Sequence, residues 1–484
     1  MKPTVVFAVI VAYFLLLMAI SYLTSRKSGN QTFFTGDRES PWFLVAFGMI
    51  GAGLSGVTFV SVPGMVGNNN LYFFQFVLGN VLGYLFITFV LIPLYYRLRL
   101  VSIYAYLRDR FGNVSYKSGS LIFLISQSFG AALRLLLAAK ILQFAFFDAL
   151  GIPFAVTVIV ILVLVWLYTN KSGIKTIVWT DTVQTVFLIL GAVLTVWAIM
   201  DSFNFTFGDA VHAVTEHQYF KVFEWEGKSA NNFYKQFISG FLITIGMMGL
   251  DQNMMQKTLT CKNQWDAQKN SLTYSLILAI TQFLFLGLGV LLYIYAENNG
   301  VQLPRAADGT LLDTDTLFPN LTLNYLGPLA GVSFLLGIIA ASFSSVDSAL
   351  TALTTSFTYD FLEIDKKEEG KVKSLKNKAL VGFSAILFLI VMLFSGSRGD
   401  VISLVFTMAG YTYGPLLGLF LLGMFTKVNI KDKWVPVICI LTPLMTYFAG
   451  NYAKEKYGFD MGFFTIAIIA TLTIIGLLLI RKKQ

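Results

Sequence analysis

Stretches of about twenty apolar residues recur from one end of the chain to the other, each long enough to cross a bilayer as a helix. Taken in order there are about thirteen, counted against the ~20 residues a spanning helix needs. They fall at 4–23, 41–66, 71–96 and 119–147, then a short one ending near Tyr168 and one entered through 171–184. The rest open at 237–257 and continue at 272–296, 322–359, 379–395, 401–425, 434–452 and 463–480. Runs of this length exclude a barrel of short alternating strands. The expected fold class is an all-α integral membrane protein, a single membrane domain over 1–484 with no soluble domain attached. Composition agrees, since 13% of residues are charged where a soluble domain carries roughly 25%.

The net charge of +9 does not point to nucleic acid. With an outward N-terminus and alternating spans, roughly 25 of the 35 Lys and Arg fall in loops on one side and about eight on the other. That asymmetry predicts a cytoplasmic C-terminus, ending in Arg481, Lys482 and Lys483. The first run reads as a retained span, because Arg26 and Lys27 follow it and do not precede it. Cys261 and Cys439 lie far apart and imply no disulfide framework.

Polar groups inside apolar runs carry the functional signal. In 337–354, G-I-I-A-A-S-F-S-S-V-D-S-A-L-T-A-L-T, residues Ala341, Ser344, Ser345 and Ser348 share one helix face and Asp347 lies on its edge. Hydroxyls, a carboxylate and freed carbonyls suit a small hard cation. A carboxylate at membrane depth is a functional residue by default. Close helix packing with serines bonded back to their own carbonyls is the plainer alternative. The run 41–66 holds Gly48, Gly51, Gly53, Gly56, Pro63 and Gly64, and 237–257 holds Gly240, Gly246 and Gly249. Such breakers predict discontinuous helices whose freed carbonyls face a cavity; tight packing on the glycines is the alternative. Each interrupted run opens a group of five spans. An odd number makes the two groups inverted, the layout of a transporter built from inverted repeats. The expected divisions are 1–39 (an extra helix and loop), 40–200 and 235–426 (the repeats), and 427–484 (two further helices). Arg134, in mid-span, must face a partner or a cavity, and its planar fork suits a carboxylate. A bridge to Asp181 or Asp347, or snorkelling, is the alternative; Lys140, nearer the outer end, reads as snorkelling.

Five stretches in order resemble the sodium:solute symporter family: G-L-S-G-V-T-F-V-S-V-P-G (53–64), W-T-D-T-V-Q (179–184), L-D-Q-N-M-M-Q-K (250–257), A-S-F-S-S-V-D-S-A-L (341–350) and G-P-L-L-G (414–418). The resemblance implies the five-plus-five inverted-repeat (LeuT-like) fold, with the first helix of each repeat discontinuous. It implies a principal sodium site at the carbonyls of Gly51, Leu54 and Ala341 and the hydroxyls of Ser344 and Ser345. Some relatives hold a second sodium, which here would fall on Asp181, Ser344 and Ser348, with Asp347 where some have a hydroxyl. Asp347 could ligate sodium, or repel Asp181 and bind a proton instead. Bacterial sialic-acid symporters of the family look similar at Ser55, Thr58, Phe73 and Arg134. They depart at Gly53, where they have Thr, and at Val77, where they have Gln; Gln75 is the nearby substitute. The acidic residue and the lysine that the family's sugar carriers use are missing from 71–96 and 272–296. Proline and monocarboxylate carriers of the family remain open.

An enzyme is not expected: His212 and His217 fall in an outer loop, and no nucleophile–base or metal-cluster spacing occurs in the membrane. A channel would need a continuous polar pore, whereas these polar clusters are separated by long aromatic runs. The expectation is a sodium-coupled symporter that imports a small polar, carboxylate-bearing solute by alternating access, with sialic acid as leading candidate. It would act as a monomer in a bacterial inner membrane. A monosaccharide or amino-acid symporter is the alternative within the family, and an ion channel the alternative outside it.

Overall fold

The computed structural model describes residues 3–25, 40–169, 173–364, 367–396 and 401–482. The loop within 1–39, with Arg26 and Lys27, lies outside the described residues, as do Lys171, Ser172 and Lys483. Among the described residues the chain is helical, with three isolated β-bridges and no strand. The membrane helices are α1 (Pro3–Ser25), α2 (Trp42–Gly53), α3 (Gly56–Asn69), α4 (Phe73–Leu98), α5 (Asn113–Leu142), α6 (Phe154–Thr169) and α7 (Gly173–Phe203). They continue as α8 (Phe233–Gly249), α9 (Gln252–Thr258), α10 (Gln264–Asn298), α11 (Gly327–Phe361), α12 (Glu369–Phe394), α13 (Val401–Phe425), α14 (Val435–Tyr457) and α15 (Thr465–Leu479).

Nine of the described helices are long and apolar enough to cross a membrane, and eleven spans result if α2–α3 and α8–α9 each count as one. The apolar parts of α1 and α6, Phe7–Leu23 and Phe154–Leu167, are shorter. All thirteen expected spans therefore coincide with helix, but two fall short of that length.

Both glycine-interrupted runs are broken, bending by 55° between α2 and α3 and by 69° between α8 and α9. Ser40 N–H, just before α2, donates to Thr260 O, just after α9 (3.1 Å). The start of one broken span thus lies beside the end of the other, so the two run antiparallel, as inverted repeats require. At the opposite end Leu71 N–H donates to Lys221 O (3.0 Å), tying the long loop between α7 and α8 to the first repeat.

Glycine has a second use where α4 meets α8. A Cβ on Gly79 would stand 2.0 Å from Phe237 O, and one on Gly240 would stand 2.0 Å from Phe76 O. The backbones touch there, and neither can yield without moving a helix. Gly240→Ala is therefore expected to lower the melting temperature of the purified protein, with a cost of about 1–3 kcal/mol or more from overpacking. A melting curve in detergent checks this against Gly130→Ala, where an added Cβ would meet nothing within 4 Å.

Candidate sodium and solute site

At the α2–α3 break the helical ladder stops. Leu54 N–H still reaches Ile50 O (2.7 Å), and the next bond, Phe59 N–H to Ser55 O (3.0 Å), belongs to α3. The carbonyls of Gly51 to Leu54 thus lack the partners a continuous helix would give them. The α8–α9 break differs. Tyr95 OH donates to Gly249 O (2.8 Å) and Tyr104 OH to Leu250 O (2.9 Å), while Asp251 caps Asn253 and Met254. One break is closed by tyrosines, and the other leaves its carbonyls open.

Tight packing places the open break between α7 and α11. A Cβ on Gly51 would lie 2.4 Å from Thr185 Oγ1 and 3.2 Å from Asp181 O, and one on Gly56 would lie 2.7 Å from Ser342 Oγ. On α11, Ser344 donates to Asp181 Oδ1 (2.5 Å) and Ser345 donates to Ala341 O (2.9 Å). Each hydroxyl has one proton, and both are spent. Their lone pairs remain, which is the orientation that a cation requires. Gly51, Leu54, Ala341, Ser344 and Ser345 are therefore on elements that meet, with hard oxygen donors only.

The residues expected around a second ion are arranged differently. Asp181 is fully buried and its Oδ2 lies 2.7 Å from the ammonium of Lys257, itself 1% exposed. Asp347 accepts from Ser348 (3.1 Å) and is a separate carboxylate on the same helix. Lys257 closes the L-D-Q-N-M-M-Q-K stretch, yet nothing in that stretch reveals its partner 76 residues away. Breaking a buried pair by removing one partner costs about 3–5 kcal/mol.

Arg134, from α5, faces a small cavity with Ser55, Thr58, Asn80, Thr244 and Gln282, walled by Phe76, Phe406, Met247 and Met248. No carboxylate among the described residues lies within 4 Å of Arg134, so neither Asp181 nor Asp347 is its partner. Asp251 accepts from Tyr413 OH (2.5 Å). Gln282 Oε1 is buried with no hydrogen-bond partner, an orphan that a polar solute would satisfy. The cavity measures about 50 Å³, room for water rather than an organic solute, so the side chains are drawn together here. A larger opening of about 640 Å³ lies along the same helices, past Leu137 and Ile141 on α5 and Val401 on α13.

Two expected solute contacts lie elsewhere. Gln75 is fully buried, but its amide donates to Tyr72 O (3.1 Å) and Asn231 O (2.9 Å) and accepts from Glu224 N–H (3.0 Å). It anchors the outer loop and does not line the cavity. Phe73 stacks on Phe76 (5.2 Å between centroids, 17°) and stands behind it. The residues that replace them, Phe76 and Asn80, lie one and two turns further along α4. At Gly53, Tyr274 OH occupies the place of a side chain: a Cβ there would lie 1.7 Å from it. A hydroxyl thus stands where the sialic-acid carriers have their threonine. Gln75→Ala should loosen the outer loop by about 1–3 kcal/mol from lost buried hydrogen bonds while leaving the order of competing solutes unchanged; a melting curve and a competition series measure the two effects.

The model of the sodium:solute symporter family matches residues 33–431. The chain belongs to the sodium:solute symporter family. As a member it is a multi-pass membrane protein that couples solute movement to sodium, and transport, not catalysis, is its activity. The symporter is 24% identical over 483 residues to the sodium/sialic acid symporter SiaT of Proteus mirabilis (strain HI4320), covering 97% of this chain and 93% of that one. It is 25% identical over 412 residues to the human sodium/iodide cotransporter, covering 82% and 61%. Its fold matches a solved structure of a Na+-coupled sialic acid symporter in a substrate-bound, outward-open state, with a TM-score of 0.80 at 22% identity over 99% of each chain. The LeuT-like architecture follows from that match. The solute does not, since relatives at 24% and 25% identity are named for sialic acid and for iodide.

Proposed function

We propose that the symporter imports a carboxylate-bearing organic solute, with sialic acid the leading candidate, at the Arg134 cavity. The observation that carries this reading is an arginine in mid-membrane, facing a cavity with no carboxylate within 4 Å among the described residues. A planar guanidinium there is suited to a bidentate carboxylate. Ser55, Thr58, Asn80, Gln282 and the Tyr274 hydroxyl would meet the solute's own hydroxyls. Sodium would bind Gly51, Leu54, Ala341, Ser344 and Ser345, pinning α2 to α11. Because α3 begins at the same break and carries Thr58 into the cavity, sodium binding pre-forms the solute site.

The two repeats, 40–200 and 235–426, would then rock about the loaded site. The segment 1–39 and the helices of 427–484 would flank them. In this reading thirteen spans cross a bacterial inner membrane, the N-terminus is outside, the C-terminus is cytoplasmic, and one chain suffices for transport. The test is uptake of labelled N-acetylneuraminic acid into proteoliposomes under an inward sodium gradient, with potassium as control. Accumulation only with sodium supports the reading. Without it, sialic acid is removed, and competition among monocarboxylates, amino acids and sugars decides what Arg134 binds.

A further inference from the structure

Among the described residues, Lys257 and Asp181 form the ion pair in which both side chains are buried, at 1% and 0% exposure. Asp181 belongs to α7 in the first repeat; Lys257 belongs to α9, beyond the break of the second. Without the lysine, Asp181 would be a cation site: a buried carboxylate with the Ser344 hydroxyl already at its Oδ1 (2.5 Å). Hard oxygen donors of this kind suit a small hard cation. The ammonium of Lys257 stands at Oδ2, 2.7 Å away. It is covalently tethered, and Asp181 is the acceptor the structure gives it. An ion arriving at Asp181 would have to displace a cation that cannot diffuse away and leave it buried without its counter-charge.

We propose that Lys257 is a tethered cation standing in for a second sodium ion at Asp181, so that the symporter binds one sodium per chain. The proposal rests on the principal sodium site at Gly51, Leu54, Ala341, Ser344 and Ser345. It assigns Lys257 a positioning role, since it touches neither that ion nor the solute. Through Asp181 it fixes the proton of Ser344, and so the lone pairs offered to the sodium that does bind. With a singly charged carboxylate as solute, the loaded carrier then moves no net charge.

The test counts radioactive sodium ions bound per full-length chain in detergent by scintillation proximity, with no solute present. One ion is expected for wild type, two for Lys257→Gln, and one for Lys257→Arg. The double variant Asp181→Asn, Lys257→Gln should return to one, because the carboxylate that admits the extra ion is gone. Two ions in wild type or in Lys257→Arg would overturn the proposal even if Lys257→Gln did not fold. So would a single ion in Lys257→Gln protein that elutes as wild type does on size exclusion. No ion in wild type would instead remove the principal site itself, and the two failures are thereby distinguished.

Discussion

Replacing Ser344 and Ser345 together by Ala is expected to abolish sodium-dependent uptake, or to shift the sodium requirement upward by a hundredfold or more. Two of five proposed ligands are lost, and a hydrogen-bond-type contact to a charged group contributes about 1.5–3 kcal/mol; two such contacts correspond to a factor of ~100 or greater. The carbonyls of Gly51, Leu54 and Ala341 remain, but three oxygens hold a small cation poorly. The fold should survive, because Asp181 keeps its bond to Lys257 (2.7 Å) when Ser344 is gone. Ser345→Ala alone should act more weakly, since that hydroxyl donates only to Ala341 O on its own helix (2.9 Å). Initial uptake rates against sodium concentration check both. An unchanged sodium curve for the double variant would move the ion elsewhere.

Arg134→Ala should cost an acidic solute about 2–5 kcal/mol, the usual loss when one partner of a buried charged pair is removed, or roughly 30-fold to several thousandfold in affinity. Arg134→Lys keeps the charge but not the fork, and should recover part of the loss. Transport of a neutral analogue, with the carboxylate reduced to an alcohol, should be affected far less. That contrast separates a carboxylate contact from general damage.

Much of this architecture can be read from residue spacing. The glycine clusters at 48–56 and 240–249 point to the two broken spans because a helix interior tolerates few residues without a Cβ, although Gly240 lies inside α8 and serves its contact with α4. The shared face of Ala341, Ser344 and Ser345 is a consequence of 3.6 residues per turn. What spacing cannot convey is which distant group completes each site. Lys257 reads as one more basic residue near the end of a span until α9 is seen to deliver it to Asp181. The resemblance puts Gln75 in the cavity as the nearby substitute for the glutamine that the sialic-acid carriers have in place of Val77. The phase of α4 instead turns it toward the backbone of Asn231 and Glu224, and presents Phe76 and Asn80. The closure of the second break by Tyr95 and Tyr104 is likewise a tertiary fact, with partners 154 and 146 residues away. The proposed sodium ligands come from the resemblance, and two observations favour them: one break has open carbonyls, and the facing hydroxyls have no proton left to give.

The central claim is that one ion at the α2–α3 break and one solute at Arg134 favour each other. The most direct measurement is isothermal titration of the purified protein with the transported solute, in sodium and in potassium. Solute affinity should tighten as sodium rises, and sodium affinity should tighten by the same factor when the solute is saturating, since the coupling is reciprocal. An affinity identical in the two salts would contradict the account.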